Sequence, residues 1–126
     1  MKNRLLTQSE HDIQSVCIQW LNYNGFYVWR ANAGMVRTAD RYGKYRMIKL
    51  GDAGMPDVLA IVKPFGFLYG FEIKRPGGKV TEIQRMKHEK LAQAGAKVFV
   101  IHSLEELKKA VEREIVLPTL SERKTS

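Results

Sequence analysis

Apolar residues recur at two different spacings along the chain, and the spacing separates helices from strands. From Thr7 to a stop signal at residues 22–25, apolar residues lie three or four positions apart, which predicts a helix with one apolar stripe. The stripe consists of Ile13, Val16, Cys17, Trp20 and Leu21. Thr81 and Ser103 begin two further predicted helices, which end near Gly95 and before Pro118.

Short runs rich in β-branched and aromatic residues predict strands at 26–32, 57–63, 67–74 and 97–101. The second and third of these runs are joined by the short segment 64–66, so we expect them to pair antiparallel. A basic segment, residues 35–50, separates the first run from the second. It predicts a hairpin that turns around positions 40–43.

The order of these elements predicts a mixed α/β domain, in which helices flank a central β-sheet on its faces. A chain of 126 residues is long enough to bury a hydrophobic core without disulfides or structural metals. We expect one domain over residues 1–117 and a flexible tail over 118–126.

The charge of the chain is less ordinary than its composition. Lys and Arg number 21 against 13 Asp and Glu, which gives a net charge of +8 and suggests a polyanionic partner. Nucleic acid is the first such partner and an anionic membrane surface the second, and charge that serves solubility alone is the alternative.

Cysteine and histidine usage excludes several kinds of site. Cys17 is the single cysteine, so the chain has no intrachain disulfide and no zinc site built on cysteines. Because His11, His88 and His102 lack the spacing of metal ligands, we expect them at the surface.

The first ten residues contain no apolar signal-peptide core, and a cytoplasmic location without membrane association is the expectation.

Three charged residues stand in or beside the predicted inner strands. Glu72 and Lys74 are two positions apart and therefore share one face of a strand. If the two strands pair around the turn at 64–66, Asp57 lies opposite residue 73 or 74 and beside that pair. Two neighbouring carboxylates repel each other, and a divalent cation such as Mg²⁺ removes the conflict. A lysine there can orient or deprotonate a water for phosphodiester hydrolysis.

Five sequence blocks in order carry a family resemblance. They read SEHDIQSVCIQWL, VWRANAG, GDAGMPDVL, EIKRPGGKVTEIQ and LAQAGAKVFVI. The pattern MPD, fourteen residues and then EIK resembles the signature of PD-(D/E)XK nucleases. Residues 8–103 as a whole are similar to the small stand-alone form of the VRR-NUC (virus-type replication-repair nuclease) domain. This resemblance implies a restriction-endonuclease-like fold with a mixed central sheet.

The resemblance assigns roles to the central motif. It implies that Asp57, Glu72 and the backbone carbonyl of Ile73 bind Mg²⁺, for which Mn²⁺ substitutes, and that Lys74 is the catalytic lysine. The alternative is that Asp57 caps a turn and that Glu72 and Lys74 form an ion pair on an exposed strand.

Glu10 and Gln84 match two further positions of the family. The resemblance implies that Glu10 contacts a metal, directly or through water, and that Gln84 helps to organise catalysis. Each also has a structural alternative, because Thr7 with Glu10 and Thr81 with Gln84 have the spacing of capping boxes.

Basic residues around the motif are candidate contacts to DNA phosphates. Arg30, Arg75 and Lys79 flank the central segments, and the predicted hairpin interleaves tyrosines with Arg37, Arg41, Lys44, Arg46 and Lys49. A solvated surface is the alternative for both groups.

These observations and the resemblance together predict a Mg²⁺-dependent, structure-specific DNA endonuclease. The resemblance further implies branched DNA such as four-way (Holliday) junctions as the substrate, a homodimer, and an origin in a phage or prophage. The rival interpretations are a non-catalytic DNA-binding module of the same fold and a nuclease that acts on RNA.

Overall fold

Two β-sheets of different size organise the chain in a computed structural model, which describes residues 9–31, 35–49 and 53–114. The elements follow the predicted order. They are α1 (Glu10–Tyr23), β1 (Phe26–Arg30), β2 (Met35–Ala39), β3 (Tyr45–Lys49), β4 (Val58–Val62), β5 (Leu68–Ile73), α2 (Glu82–Gln93), β6 (Lys97–Ile101) and α3 (Leu104–Glu114).

The larger sheet has the strand order β1-β4-β5-β6. The pairs β1–β4 and β4–β5 are antiparallel, as predicted for the second pair, and β5–β6 is parallel because α2 provides the crossover between them. The sheet is therefore mixed, which confirms the predicted fold class.

None of the helices in the described ranges is long and apolar enough to cross a lipid bilayer.

The hydrophobic core lies between one face of this sheet and the helices α1 and α3. Alternate residues of β4 and β5 point into it, as the period-two geometry of a strand requires. The core consists of Ile13, Cys17, Leu21, Phe26, Val58, Ala60, Val62, Tyr69, Phe71, Ile73, Ile101, Leu107 and Val111. Helix α2 packs against β6, and its side chains reach Glu72, which points to the opposite face from its neighbours Phe71 and Ile73.

The first helix begins later than predicted. Ser9 is the N-cap of α1, and its side chain accepts a hydrogen bond from the backbone of Asp12, which completes a capping box by reaching back to Ser9. The predicted capping box of Thr7 with Glu10 is therefore wrong, although Thr7 itself lies outside the described residues. The carboxylate of Glu10 is consequently available for other contacts.

The second sheet is the predicted hairpin, in which β2 pairs antiparallel with β3. Its turn forms because Oδ1 of Asp40 accepts hydrogen bonds from the backbone N–H groups of Tyr42 and Lys44, at 2.8 and 2.9 Å. Among the described elements, β2 and β3 contact each other and no other helix or strand. The hairpin is thus an arm that stands apart from the central domain.

The other predicted boundaries agree with the structure where it describes them. Thr81 caps α2 in a capping box with Gln84, and the side chain of Ser103 accepts a hydrogen bond at the start of α3. The predicted end of the last helix before Pro118 and the predicted tail at 118–126 lie outside the described residues.

His102 connects the start of α3 to the loop that follows β5. Its Nδ1 lies 3.0 Å from Oε1 of Glu106 and its Nε2 lies 3.0 Å from the carbonyl oxygen of Gly78. Its side chain is 30% exposed, so the predicted surface position is only partly right. Both ring nitrogens face acceptors, and the bonds to Glu106 and Gly78 raise the pKa of His102 above its ordinary value of 6.5.

We predict that this interaction stabilises the fold at acid pH and fades as pH rises. Because the pKa of His102 is higher in the folded chain, its contribution is complete below about pH 6.5 and is lost as pH rises through the folded-state pKa. The difference in melting temperature between the wild type and His102→Gln should therefore be larger at pH 5.5 than at pH 8.5. His11→Gln, at an exposed position, is the control; a difference that is constant with pH would contradict the prediction.

Candidate active site

The loop that carries Asp57 is confined by two glycines. A Cβ added to Gly70, on β5, would lie 2.8 Å from Cγ of Pro56, so the absence of a side chain lets the loop lie directly on the strand. Gly54 has a φ of +80°, and a Cβ there would lie 2.6 Å from the carbonyl oxygen of Ile83 on α2. The loop is therefore held between β5 and the first turn of α2, which fixes where β4 begins.

Asp57 is attached to the neighbouring strand by its side chain. Its Oδ2 accepts a hydrogen bond from the backbone N–H of Ile73 at 2.8 Å, and its own carbonyl accepts one from Ala31 at 2.9 Å. These contacts hold the carboxylate at the end of β5, where the chain continues into Lys74.

The strand register differs by a position from the prediction. At the end of the strand pair that lies farthest from the turn, Val58 of β4 pairs with Phe71 of β5. This register places Asp57 opposite Glu72 rather than opposite residue 73 or 74. The reason is the length of the turn. The pair nearest the turn is Ile61 with Leu68, so the segment that joins the two strands is longer than the predicted turn at 64–66. The two carboxylates are nonetheless neighbours, as predicted.

Glu72 is a charged residue in a buried position. It is 1% exposed, and each carboxyl oxygen faces a donor from α2. Nε2 of Gln84 donates to Oε2 at 3.3 Å, and Nε2 of His88 lies 3.0 Å from Oε1. The burial of Glu72 contradicts the alternative in which it forms an ion pair on an exposed strand.

The surroundings of Glu72 favour its protonated form in the absence of a metal. Burial raises its pKa to about 9, and the hydrogen-bonded, negatively charged Asp57 adds to the shift, as does Glu10 to a smaller degree. Lys74 acts in the opposite direction. A divalent cation between the two carboxyls would offset both the burial and the repulsion, because it favours the charged form of each.

The available ligands suit a metal that needs few protein side chains. In the described ranges, no three side chains of His, Cys, Asp or Glu come close enough together to enclose a metal ion. The carboxylates of Asp57 and Glu72 are hard oxygen donors, and the carbonyl of Ile73 belongs to the same backbone segment. Mg²⁺ is commonly bound by one or two carboxylates and several waters, so this donor set fits it.

Lys74 follows directly after β5 and is half-buried. Its backbone N–H donates to the carbonyl of Ile101 at 2.9 Å, which continues the parallel pairing with β6 beyond the strand. The positive charge of Lys74 acts to lower the pKa of both Glu72 and His88. The structure therefore brings together the predicted trio of Asp57, Glu72 and Lys74.

Glu10 and Gln84, the two residues with competing interpretations, both lie near this trio. Oε2 of Glu10 is 3.4 Å from the backbone N–H of Arg75, beside the end of β5. Gln84 forms the predicted capping box and also contacts the trio, since its Oε1 accepts a hydrogen bond from the backbone of Thr81 at 2.9 Å while its Nε2 donates to Glu72.

His88 belongs to the site although the sequence predicted a surface position, and that prediction is wrong. Its side chain is 12% exposed and contacts Glu72, and burial lowers its pKa. The available signal was its spacing from Gln84. Residues four apart on a helix share a face, so a helix that brings Gln84 to the site also brings His88.

The predicted basic contacts divide into three groups. Arg75 and Lys79 are exposed on the loop after β5, next to the trio. Nη2 of Arg30 donates to Oγ of Ser15 at 3.1 Å, which ties this half-buried side chain to α1. The hairpin residues with exposed side chains are Arg41, Lys44 and Arg46, while the side chains of Arg37 and Lys49 lie outside the described part of the structure.

Comparison with solved structures identifies this architecture. A solved protein chain described as a VRR_NUC domain superimposes with a TM-score of 0.62, covering 85% of this chain and 99% of that chain at 23% sequence identity. The chain has the fold of a VRR_NUC domain. The likeness at this identity concerns the fold alone. No protein-family model matches the chain, and no curated protein does either.

We predict that Gly70→Ala destabilises the VRR_NUC-like fold by displacing the loop that bears Asp57. The new Cβ would overlap Pro56, and overpacking of this kind costs about 1–3 kcal/mol. The double variant Gly70→Ala/Pro56→Ala should be less destabilised than the sum of the two single variants, because it removes the overlapping ring. Chemical denaturation of the four proteins measures this coupling, and simple additivity would contradict the proposed contact.

Proposed function

We propose that the chain is a divalent-metal-dependent DNA endonuclease of the PD-(D/E)XK type, which hydrolyses phosphodiester bonds. The observation that carries the proposal is the meeting of Asp57, Glu72 and Lys74 at one end of the central sheet. Asp57 is fixed there by the N–H of Ile73, and Glu72 is buried beside it. The VRR_NUC-like fold is compatible with the same assignment.

In this proposal Asp57, Glu72 and the carbonyl of Ile73 hold Mg²⁺, and Mn²⁺ substitutes for it. Glu10, whose charge raises the pKa of Glu72, would contact the cation directly or through water. The bound cation supplies Lewis acidity, which stabilises negative charge on the phosphoryl group. Burial keeps the carboxylate of Glu72 in one orientation, so its interaction with the cation needs little reorganisation.

Lys74 performs the second part of the chemistry. A lysine ammonium is a compact charge with three donors, and this one lies next to Glu72. It orients the attacking water and offsets the charge that develops on the phosphoryl oxygens. Gln84 supports the reaction indirectly, because its amide is fixed by Thr81 on one side and holds Glu72 on the other.

Basic residues bind the DNA backbone in this proposal. Arg75 and Lys79 flank the trio, so they contact phosphates next to the scissile one. The hairpin arm adds exposed cations and tyrosines at its tip, where the guanidinium of Arg41 lies 5.6 Å from the ring of Tyr42. Because the arm does not pack on the central domain, it can contact DNA away from the active site.

We further propose branched DNA, such as a four-way junction, as the substrate and a homodimer as the active form. A dimer with two-fold symmetry would present two identical sites to the two equivalent strands of a symmetric junction.

We also propose a cytoplasmic location. The single thiol, Cys17, is buried, burial raises its pKa to about 12, and a free thiol of this kind suits a reducing cytoplasm.

The rival functions are a non-catalytic DNA-binding module and a nuclease acting on RNA. The presence of the two carboxylates and the lysine at one end of the central sheet favours catalysis over binding alone. Incubation with Mg²⁺ and separate samples of a four-way junction, linear duplex, single-stranded DNA and RNA distinguishes these functions. The proposal predicts cleavage of DNA, most rapidly of the junction, and no cleavage of any substrate would refute it.

We predict that Lys74→Ala lowers the cleavage rate by about 10²- to 10⁴-fold while DNA affinity stays nearly constant, because the lysine acts on the reacting groups. Gel assays of cleavage and fluorescence anisotropy of binding measure the two effects. Lys109→Ala, at an exposed position on α3, is the matched control. Unchanged cleavage by Lys74→Ala would exclude the proposed mechanism.

We predict that reversing the charges of Arg41, Lys44 and Arg46 to Glu weakens DNA binding and flattens its salt dependence. Each phosphate contact that is lost reduces the slope of log affinity against log salt by about 0.9. The side chains are exposed, so the melting temperature should change little. Equal affinity and slope in the wild type and the variant would show that the hairpin does not contact DNA.

A further inference from the structure

Helix α2 holds the carboxyl group of Glu72 at two points. Gln84 faces Oε2 and His88 faces Oε1, at 3.3 and 3.0 Å, and the two residues lie four apart on the same helix face. A single hydrogen bond leaves a carboxyl group free to rotate about its terminal bond. Two donors that face different oxygens fix the plane of the group as well as its position.

We propose that His88 is a positioning residue that orients Glu72 for divalent cation binding, an inference that rests on the proposed function. When a bound cation keeps Glu72 ionised, its carboxylate can only accept hydrogen bonds, so Nε2 of His88 then acts as the donor. That nitrogen carries a hydrogen in one neutral tautomer and in the imidazolium form. The positioning role therefore does not depend on the charge of the ring.

The surroundings of His88 support positioning over direct metal binding. Its Nε2 lies 3.0 Å from Oε1 of Glu72, and when it donates to the ionised carboxylate it has no lone pair for a metal. Its side chain is 12% exposed, which restricts the ring to this orientation. Partners of this kind around metal ligands commonly contribute about 10- to 100-fold to metal affinity.

Simple packing is the remaining alternative, and two substitutions separate it from positioning. His88→Gln keeps an N–H donor at about the reach of the imidazole Nε2, whereas His88→Met fills a similar space without a donor. If His88 positions Glu72, His88→Met loses metal affinity and His88→Gln restores most of it. If His88 only fills space, the two variants behave alike.

The test is calorimetric titration of the metal-free protein with Mn²⁺ alone. The wild type, His88→Gln, His88→Met and the exposed-site control His11→Met are compared at equal pH. We expect His88→Met to bind Mn²⁺ about 10- to 100-fold more weakly than the wild type, and His88→Gln to stay within about tenfold. Melting temperatures in EDTA establish that each variant folds, and His88→Leu replaces His88→Met if the latter does not.

Wild-type Mn²⁺ affinity in the folded variant without a donor would overturn the inference, and so would equal losses in that variant and His88→Gln. Either result leaves the proposed function intact if the wild type binds Mn²⁺ and cleaves DNA. A wild type that neither binds Mn²⁺ nor cleaves DNA would overturn the proposed function and this inference together. Full DNA cleavage by a wild type that is indifferent to Mn²⁺ and EDTA would overturn the inference and the metal dependence.

Discussion

The burial of the Glu72 carboxyl beside Asp57 is the constraint on which the rest of the site depends. Removing a carboxylate from water without a compensating charge costs several kcal/mol. That is a large fraction of the free energy of unfolding of a small domain. The fold supplies two hydrogen-bond donors from α2 and the nearby charge of Lys74. A divalent cation would complete this compensation, which gives the arrangement a physical reason under the proposed function.

The fold places these groups together through close backbone packing. Gly70 allows Pro56 to lie on β5, and Gly54 allows the start of α2 to approach the same loop. The crossover from β5 through α2 to β6 then brings the face of α2 over Glu72. The side chains of the site are therefore fixed by strands, a helix and a confined loop, which suits chemistry that depends on orientation.

The sequence predicted the elements and the central trio because local signals determine them. The apolar periodicity, the turn residues around Asp40 and the capping box at Thr81 act within a few residues, and all appear in the structure. Glu72 lies on β5 and Lys74 follows directly after it, so their proximity along the chain is also a local property.

The errors arose where several local solutions compete or where tertiary packing decides. Ser9 and Thr7 both suit an N-cap, and the observed cap uses Ser9 with Asp12. The observed register of β4 and β5 differs from the predicted one because the turn between these strands is longer than the sequence indicated. The one signal for His88 was its spacing of four residues from Gln84, and its burial is decided by the packing of α2 against the sheet.

Anomalous diffraction from crystals soaked in Mn²⁺ tests the central claim most directly. The account predicts a peak at about 2.0–2.3 Å from carboxylate oxygens of both Asp57 and Glu72, and its loss in crystals of Glu72→Gln. A crystal in which Mn²⁺ occupies other positions while Glu72 stays buried against Gln84 and His88 without a metal would contradict the account.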